Sequence, residues 1–121
     1  MAVQKVLVVD DSATDLAHIK NIVVDAGYRV VTATTGQEAV NKAISEKPDL
    51  IFMDIIMDNM DGYGACRTLA QNSDTKGIPV VFTTSKKQKA DRLWAQMQGG
   101  KGYITKPYSA EDIIDQLKTF T

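Results

Sequence analysis

Short apolar runs alternate with amphipathic stretches five times along this 121-residue chain. Apolar residues repeating at three- and four-residue intervals indicate helices, whereas short continuous apolar runs bounded by turn residues indicate buried strands. Strands buried on both faces are typical of a parallel sheet covered by helices. The alternation therefore predicts an α/β protein with a (βα)5 order of elements. In chain order the predicted elements are Lys5–Val9, Ala13–Ala26, Arg29–Ala33, Gly36–Glu46, Leu50–Met53, Gly62–Gln71, Val80–Thr83, Lys89–Gln98, Gly102–Thr105 and Ala110–Phe120.

Local signals support these boundaries. The first helix carries an apolar stripe that includes Ile19 and Val23, and Gly27 is placed to end it. The second strand is less apolar than the first and third, which indicates a strand at the edge of the sheet. Ser109 with Asp112 three residues later forms the sequence pattern of a helix-capping box, so we expect the last helix to begin there.

The composition limits the kinds of function that this chain can have. With 44% hydrophobic residues, residues 1–121 predict one compact domain, with no separate output domain. Fourteen basic and fifteen acidic residues, without a basic stripe, argue against a nucleic-acid partner. The apolar runs are shorter than the ~18 residues of a membrane span, and no secretory signal is visible, so we expect a cytoplasmic protein without membrane contact. Cys66 stands alone, which excludes an internal disulfide and favours a half-buried small side chain.

Polar residues stand where the predicted strands end. Asp10 and Asp11 follow the first strand, Asp54 the third, Thr84 the fourth and Lys106 the fifth. In an open α/β sheet the ligand crevice lies beyond the carboxyl ends of the strands, so these side chains are expected to converge there. The alternative for the acid pair is a helix-capping loop, and for Asp54 it is an ordinary turn acid.

Three carboxylates at one point repel one another unless a cation lies among them or one of them binds a proton. Oxygen ligands without histidine favour Mg²⁺ (or Mn²⁺) over zinc. Mg²⁺ keeps several waters and prefers one or two carboxylates together with a substrate phosphate, so the site suits phosphoryl chemistry.

Phosphoryl transfer needs a nucleophile and neutralisation of charge on the phosphoryl oxygens. Asp54, alone at the end of the central strand, is the best candidate nucleophile and would form an aspartyl phosphate. Lys106 offers a flexible positive charge, and Thr84, favoured over Thr83 by strand alternation, offers a hydroxyl. The Lys106–Pro107 bond is a plausible cis peptide.

Together these residues resemble the receiver domains of bacterial two-component response regulators, and the resemblance extends from Lys5 to Leu117. Such domains have a doubly wound, flavodoxin-like sheet of strand order 2-1-3-4-5 in three layers. The spacing of the motifs is similar to that of single-domain chemotaxis-type receivers. The motifs that carry the resemblance are Val8-Val9-Asp10-Asp11-Ser12, Met53-Asp54-Ile55, Met60-Asp61-Gly62, Thr84-Ser85, Gly99-Gly100 and Tyr103-Ile104-Thr105-Lys106-Pro107.

The resemblance implies that Asp54 accepts a phosphoryl group from the phosphohistidine of a histidine kinase. Asp11 and Asp54 would bind Mg²⁺ directly, together with the backbone carbonyl of Ile56, while Asp10 would act mainly through bound water. The protein would be a signalling protein that assists its own phosphorylation, not an enzyme with substrate turnover. We expect a monomer or weak dimer.

The resemblance also implies a switch. Thr84 would move toward the phosphoryl group and Tyr103 would turn inward behind it, because the added negative charge makes new contacts with a hydroxyl and a lysine. A downstream protein would read the surface of the fourth helix, fifth strand and fifth helix. The stretch around Trp94 is similar to the fourth helix of receivers that control type IV pili and twitching motility.

Several alternatives stay open. Tyr103 could simply cover a core edge with its hydroxyl in water, Trp94 could be a packing residue, and His18 is expected on the solvated side of the first helix. Compared with many receivers, Asp58 replaces a common proline and Ser85 replaces the usual alanine or glycine beside the switch hydroxyl. Ile56 and Lys86 occupy the two variable positions that commonly tune the phosphoryl lifetime, which leaves that lifetime open. The protein could also be a phosphate sink for a sister receiver, a pseudo-receiver, or a small Mg²⁺-dependent aspartyl-phosphate phosphatase. A phosphatase needs a second acid as general acid and base, and Ile56 stands two residues after Asp54.

Overall fold

A computed structural model of the protein describes residues 3–57, 61–86 and 88–120. Within these ranges five strands and five helices alternate, as the sequence predicts. The strands are β1 (Lys5–Val9), β2 (Arg29–Ala33), β3 (Leu50–Asp54), β4 (Val80–Thr84) and β5 (Gly102–Thr105). The helices are α1 (Ala13–Asp25), α2 (Gly36–Glu46), α3 (Gly62–Gln71), α4 (Lys89–Met97) and α5 (Ala110–Thr119).

The strands form one parallel sheet in the order β2-β1-β3-β4-β5, which is the predicted doubly wound, flavodoxin-like topology. β2 lies at one edge, as its weaker apolar character indicated, and β5 lies at the other. The chain order reverses direction between β1 and β3, so the crevice of an open α/β sheet is expected above these two strands.

Helices cover both faces of the sheet, which completes the predicted three layers. Alternate residues of a strand point to opposite faces, so Leu7 and Val9 join one core cluster while Val6 and Val8 join the other. The first cluster includes buried residues of α2, α3 and α4, and the second includes buried residues of α1 and α5. Phe82 and Phe52, the largest fully buried side chains, belong to the first and the second cluster respectively.

The element boundaries differ from the prediction by one residue at five places. α1, α4 and α5 each end one residue earlier than predicted. β3 and β4 each run one residue further, so Asp54 and Thr84 are the last residues of their strands and not the first residues of loops. The reason is the parallel pairing of β3 with β4, in which Asp54 lies in register with Thr83. A residue in the ladder has a well-defined direction, which positions the Asp54 side chain.

Caps and glycines end the elements as expected. Ser109 and Asp112 form the predicted reciprocal capping box, with backbone-to-side-chain distances of 2.9 and 3.2 Å. Gly27 follows α1 with φ +99°, a left-handed conformation that glycine adopts at low cost. Gly62 begins α3 against the end of β3, and a Cβ there would overlap the Asp54 carbonyl oxygen and lie 2.8 Å from Ile55 Cα.

Among the described helices, none is both long and apolar enough to span a bilayer.

Candidate functional site

The predicted site residues converge at the carboxyl edge of the sheet. Asp10 follows β1, Asp54 ends β3, Thr84 ends β4 and Lys106 follows β5. The Lys106 ammonium lies 2.9 Å from Asp10 Oδ2 and 3.4 Å from Asp54 Oδ2. The Lys106–Pro107 peptide is cis, as predicted. Residues that are distant along the chain therefore meet within hydrogen-bonding distance.

Asp10, Asp11 and Asp54 form a cluster in which one carboxylate oxygen from each lies within 4.8 Å of the others. Asp10 and Asp54 are buried, whereas Asp11 is exposed. The Asp10 backbone N–H donates to the Ala33 carbonyl at 3.1 Å, which anchors the loop to β2. The Asp10 side chain accepts from the Ser12 backbone N–H at 2.9 Å. The helix cap of α1 is Ser12 itself, so the capping interpretation of the acid pair does not account for the cluster.

The donor set fits a hard divalent cation. Within the described residues the cluster offers carboxylate oxygens without histidine or cysteine, and oxygen ligands suit Mg²⁺. One open side, at Asp11, leaves room for waters or a phosphoryl oxygen, which Mg²⁺ retains among its ligands. Ile56, whose carbonyl was predicted as a ligand, follows β3 with its side chain exposed. Asp58 lies outside the described residues.

Burial controls the charge of Asp54. Loss of water around the carboxylate raises the pKa of Asp54 to about 6, the Lys106 charge opposes that rise, and the Asp10 charge adds to it. Without a metal, Asp54 thus binds a proton far more readily than an exposed aspartate does. A cation among the three acids would favour the ionised form, which is the form able to act as a nucleophile.

Lys106 contacts a further carboxylate that sequence reasoning missed. Its ammonium lies 3.0 Å from Asp15 Oδ2, in the first turn of α1. Burial alone would lower the pKa of Lys106, but hydrogen bonds to Asp10 and Asp15 and the charge of Asp54 outweigh it, so the net pKa is raised. Lys106 is therefore charged at neutral pH. The sequence feature that could have indicated this contact is the position of Asp15 in the first turn of α1, directly after the acidic loop.

Thr84 is fully buried, and so is its neighbour Thr83. The Thr84 hydroxyl oxygen accepts from the Lys86 backbone N–H at 3.2 Å, and the Thr84 carbonyl accepts from the Lys106 backbone N–H at 2.7 Å. A hydroxyl that accepts one hydrogen bond keeps its own proton as a donor. Thr84 therefore connects the lysine-bearing loop to the segment between β4 and α4.

Tyr103 is tied to the same segment. Its hydroxyl donates to the Lys86 carbonyl at 2.9 Å, and the Arg92 guanidinium lies 5.1 Å from the centre of its ring. The ring is half-buried against the cluster that contains Phe82. The alternative in which the hydroxyl lies in water is therefore wrong for this structure. The Lys86 backbone therefore links the two side chains, because its N–H donates to the Thr84 hydroxyl and its carbonyl accepts from the Tyr103 hydroxyl.

Two other predicted residues lie on the surface. Trp94 is 51% exposed and lies beside exposed Leu93 and Met97 on α4, so it is not part of the buried core. His18 is exposed as predicted, and its ring stacks on Tyr108 with centroids 5.3 Å apart. Cys66 is buried among apolar side chains, which raises the pKa of its thiol to about 11.

Comparisons with known proteins agree with this geometry. Residues 6–118 match the family described as response regulator receiver domain. The chain is 36% identical to protein PilH of Pseudomonas aeruginosa over 113 residues, which is 93% of each chain. Chemotaxis response regulator CheY4 of Vibrio cholerae has a similar structure, with a TM-score of 0.92, 29% identity and coverage of 99% of this chain and 100% of that one.

A further similar structure bears on the acidic cluster. The receiver domain of sensor histidine kinase PA1611 from Pseudomonas aeruginosa has a TM-score of 0.90 and 27% identity, and the match covers 98% of each chain. That protein was solved with a magnesium ion coordinated in its active site cleft. Since the family match covers almost the whole sequence and PilH is 36% identical over nearly its full length, this chain belongs to the receiver domains of two-component response regulators.

Proposed function

We propose that Asp54 accepts a phosphoryl group from the phosphohistidine of a histidine kinase, in a site that requires Mg²⁺. The observation that carries the proposal is the Lys106 ammonium placed 3.4 Å from a buried Asp54 carboxylate, inside the cluster with Asp10 and Asp11. Asp11, Asp54 and the Ile56 carbonyl would hold the metal directly, and Asp10 would act through bound water. When bound, the metal neutralises charge on the phosphoryl oxygens.

The chain's own residues account for the transfer. An ionised Asp54 oxygen attacks phosphorus, the phosphorus–nitrogen bond of the donor breaks, and the imidazole leaves with its electron pair. Attack requires the unprotonated carboxylate, and the positive charge of Lys106 favours that state. Lys106 then donates to a phosphoryl oxygen, while the buried position of Asp54 limits access of water to the acyl phosphate.

The Lys86 peptide provides a physical route for the proposed switch. The Thr84 hydroxyl would donate to the new phosphoryl group, which draws the end of β4 toward the site. Because Lys86 is hydrogen-bonded both to Thr84 and to Tyr103, a shift of Thr84 changes the position of the carbonyl to which Tyr103 donates. The surface formed by α4, β5 and α5 would then change and be read by a downstream protein.

The proposed setting is a chemosensory pathway controlling type IV pili and twitching motility, with the chain acting in the cytoplasm as a monomer or weak dimer. Similarity to PilH and the Trp94-containing stretch of α4 support this setting. Receiver domains are signalling proteins and not enzymes that turn over a substrate. The output would therefore be altered protein binding.

Incubation with Mg²⁺ and acetyl phosphate, followed by intact-mass measurement, tests the phosphoacceptor. We expect a gain of one phosphoryl group, lost in Asp54→Asn and lost in excess chelator. Asp25→Asn makes the same charge change at an exposed position of α1 and should keep the full gain. An unchanged mass in the wild type would refute the proposal, and steady release of phosphate from many esters would indicate a phosphatase instead.

A further inference from the structure

All three N–H donors of the Lys106 ammonium are hydrogen-bonded in this structure. A lysine ammonium has three N–H donors. Asp10, Asp15 and Asp54 accept from it at 2.9, 3.0 and 3.4 Å, so three carboxylates account for all three donors. The longest of these distances is the one to Asp54, and the Asp15 carboxylate from α1 holds the ammonium more closely.

The three carboxylates differ in how easily they can release the lysine. The side chains of Asp10 and Asp54 are 3% and 11% exposed, whereas the Asp15 side chain is 41% exposed. A buried carboxylate that loses its partner is left without compensation, which is costly. An exposed carboxylate can be hydrated when its partner leaves, so its ion pair is weak and reversible. Asp15 is therefore the partner that Lys106 can leave most easily.

We propose that Asp15 is a positioning residue that restrains Lys106 in the unphosphorylated protein and competes with the phosphoryl group for its ammonium. This inference rests on the proposed function, because it concerns the same acceptor site. A phosphoryl group on Asp54 extends beyond the carboxylate and carries additional negative charge, so it attracts the ammonium more strongly than Asp54 alone. The net attraction between Lys106 and the phosphoryl group is smaller, because Lys106 must first break its ion pair with Asp15. Asp15 thereby shifts the equilibrium toward the unphosphorylated arrangement.

Other groups around the ammonium do not provide the same restraint. Asp10 belongs to the proposed metal site and is too buried to be released. The aromatic ring of Tyr108, stacked on His18, lines the pocket beside Lys106 but has no carboxylate to hold the ammonium. We therefore expect the restraint on Lys106 to be lost when the side chain of residue 15 is neutral and kept when it is negatively charged.

The test uses beryllium fluoride, which mimics a phosphoryl group on an aspartate, titrated by calorimetry at saturating Mg²⁺. Loss of one partly exposed ion pair corresponds to a change of roughly two- to fivefold in affinity. We expect Asp15→Asn to bind the mimic about two- to fivefold more tightly than the wild type. Asp25→Asn, the same charge change on the same helix, should bind like the wild type, and Asp15→Glu should restore most of the wild-type affinity.

A double-mutant cycle separates action through the lysine from direct repulsion of the mimic by Asp15. In a Lys106→Ala background, Asp15→Asn should leave the affinity unchanged. Equal tightening in both backgrounds would overturn the inference, as would unchanged or weaker binding by Asp15→Asn alone. If the wild type itself fails to bind the mimic, the proposed function fails. Normal wild-type binding with no effect at residue 15 refutes only this inference.

Discussion

Neutralising Asp54 should stabilise the protein when metal is absent. The Asp54 side chain is buried at the end of β3, where burial and the Asp10 charge raise its pKa from an ordinary 3.8 to about 6. That change corresponds to a cost of about 3 kcal/mol for keeping the carboxylate ionised at neutral pH. Asp54→Asn keeps the shape of the side chain and an oxygen that can accept from Lys106. We therefore expect its free energy of unfolding to exceed that of the wild type by up to about 3 kcal/mol at pH 7.5.

The pH dependence has a definite sign. A carboxyl whose pKa is higher in the folded state binds protons more tightly there, so its penalty is absent below the unfolded pKa. The penalty grows as the pH rises from 3.8 and is complete above about 6. The advantage of Asp54→Asn should therefore be roughly half as large at pH 5, about 1.5 kcal/mol, as at pH 7.5.

Urea unfolding in excess chelator, at pH 5 and pH 7.5, measures both quantities. Asp25→Asn removes the same charge from an exposed position and should stay close to the wild type at both pH values. The reasoning is refuted if Asp54→Asn is no more stable than the wild type at pH 7.5, or if its advantage does not shrink at pH 5.

Three further predictions concern the metal, the cysteine and the packing beneath the site. Mg²⁺ at about 100 times its Kd should stabilise the wild type by about 2.7 kcal/mol. Asp11→Asn should reduce this gain, measured as the difference in Tm between Mg²⁺ and chelator. The Cys66 thiol, 2% exposed and with a pKa raised to about 11, should react with a disulfide reagent at pH 8 only after urea unfolding, and fast reaction of the native protein would contradict its burial. Gly62→Ala should lose about 1–3 kcal/mol in urea unfolding, because the added Cβ overlaps the Asp54 backbone, whereas Gly77→Ala, with open space around it, should be nearly neutral.

The sequence predicts the scaffold well because the relevant signals are local. Apolar runs of strand length, the Gly27 stop and the Ser109 cap each act within a few residues, and parallel strands separated by helices leave few possible topologies. The same topology explains the successful placement of Asp10, Asp54 and Lys106. Since each lies at the carboxyl end of a strand, the fold brings them together without any knowledge of side-chain contacts.

Local sequence signals and topology do not predict side-chain contacts between elements that are distant along the chain. The stripe of α1 identifies which residues face the sheet, but it does not show that Asp15 points along the helix start toward a lysine after β5. Likewise, Lys86 acquires its position between Thr84 and Tyr103 through backbone atoms, which carry no sequence signature. The exposure of Trp94 also stays open at the level of sequence, because periodicity cannot distinguish an apolar residue that packs from one that is left exposed.

The charge balance of the site explains why one lysine has so many partners. Asp10 and Asp54 are buried beside each other, and each lies within reach of the Lys106 ammonium. In the metal-free state that ammonium compensates two buried carboxylates at once, so it cannot move away until another cation takes over part of the task. Metal binding among Asp10, Asp11 and Asp54 would supply that cation. With a cation held by these three carboxylates, Lys106 would no longer be needed to compensate Asp10 and Asp54, and its ammonium would be available to a phosphoryl group.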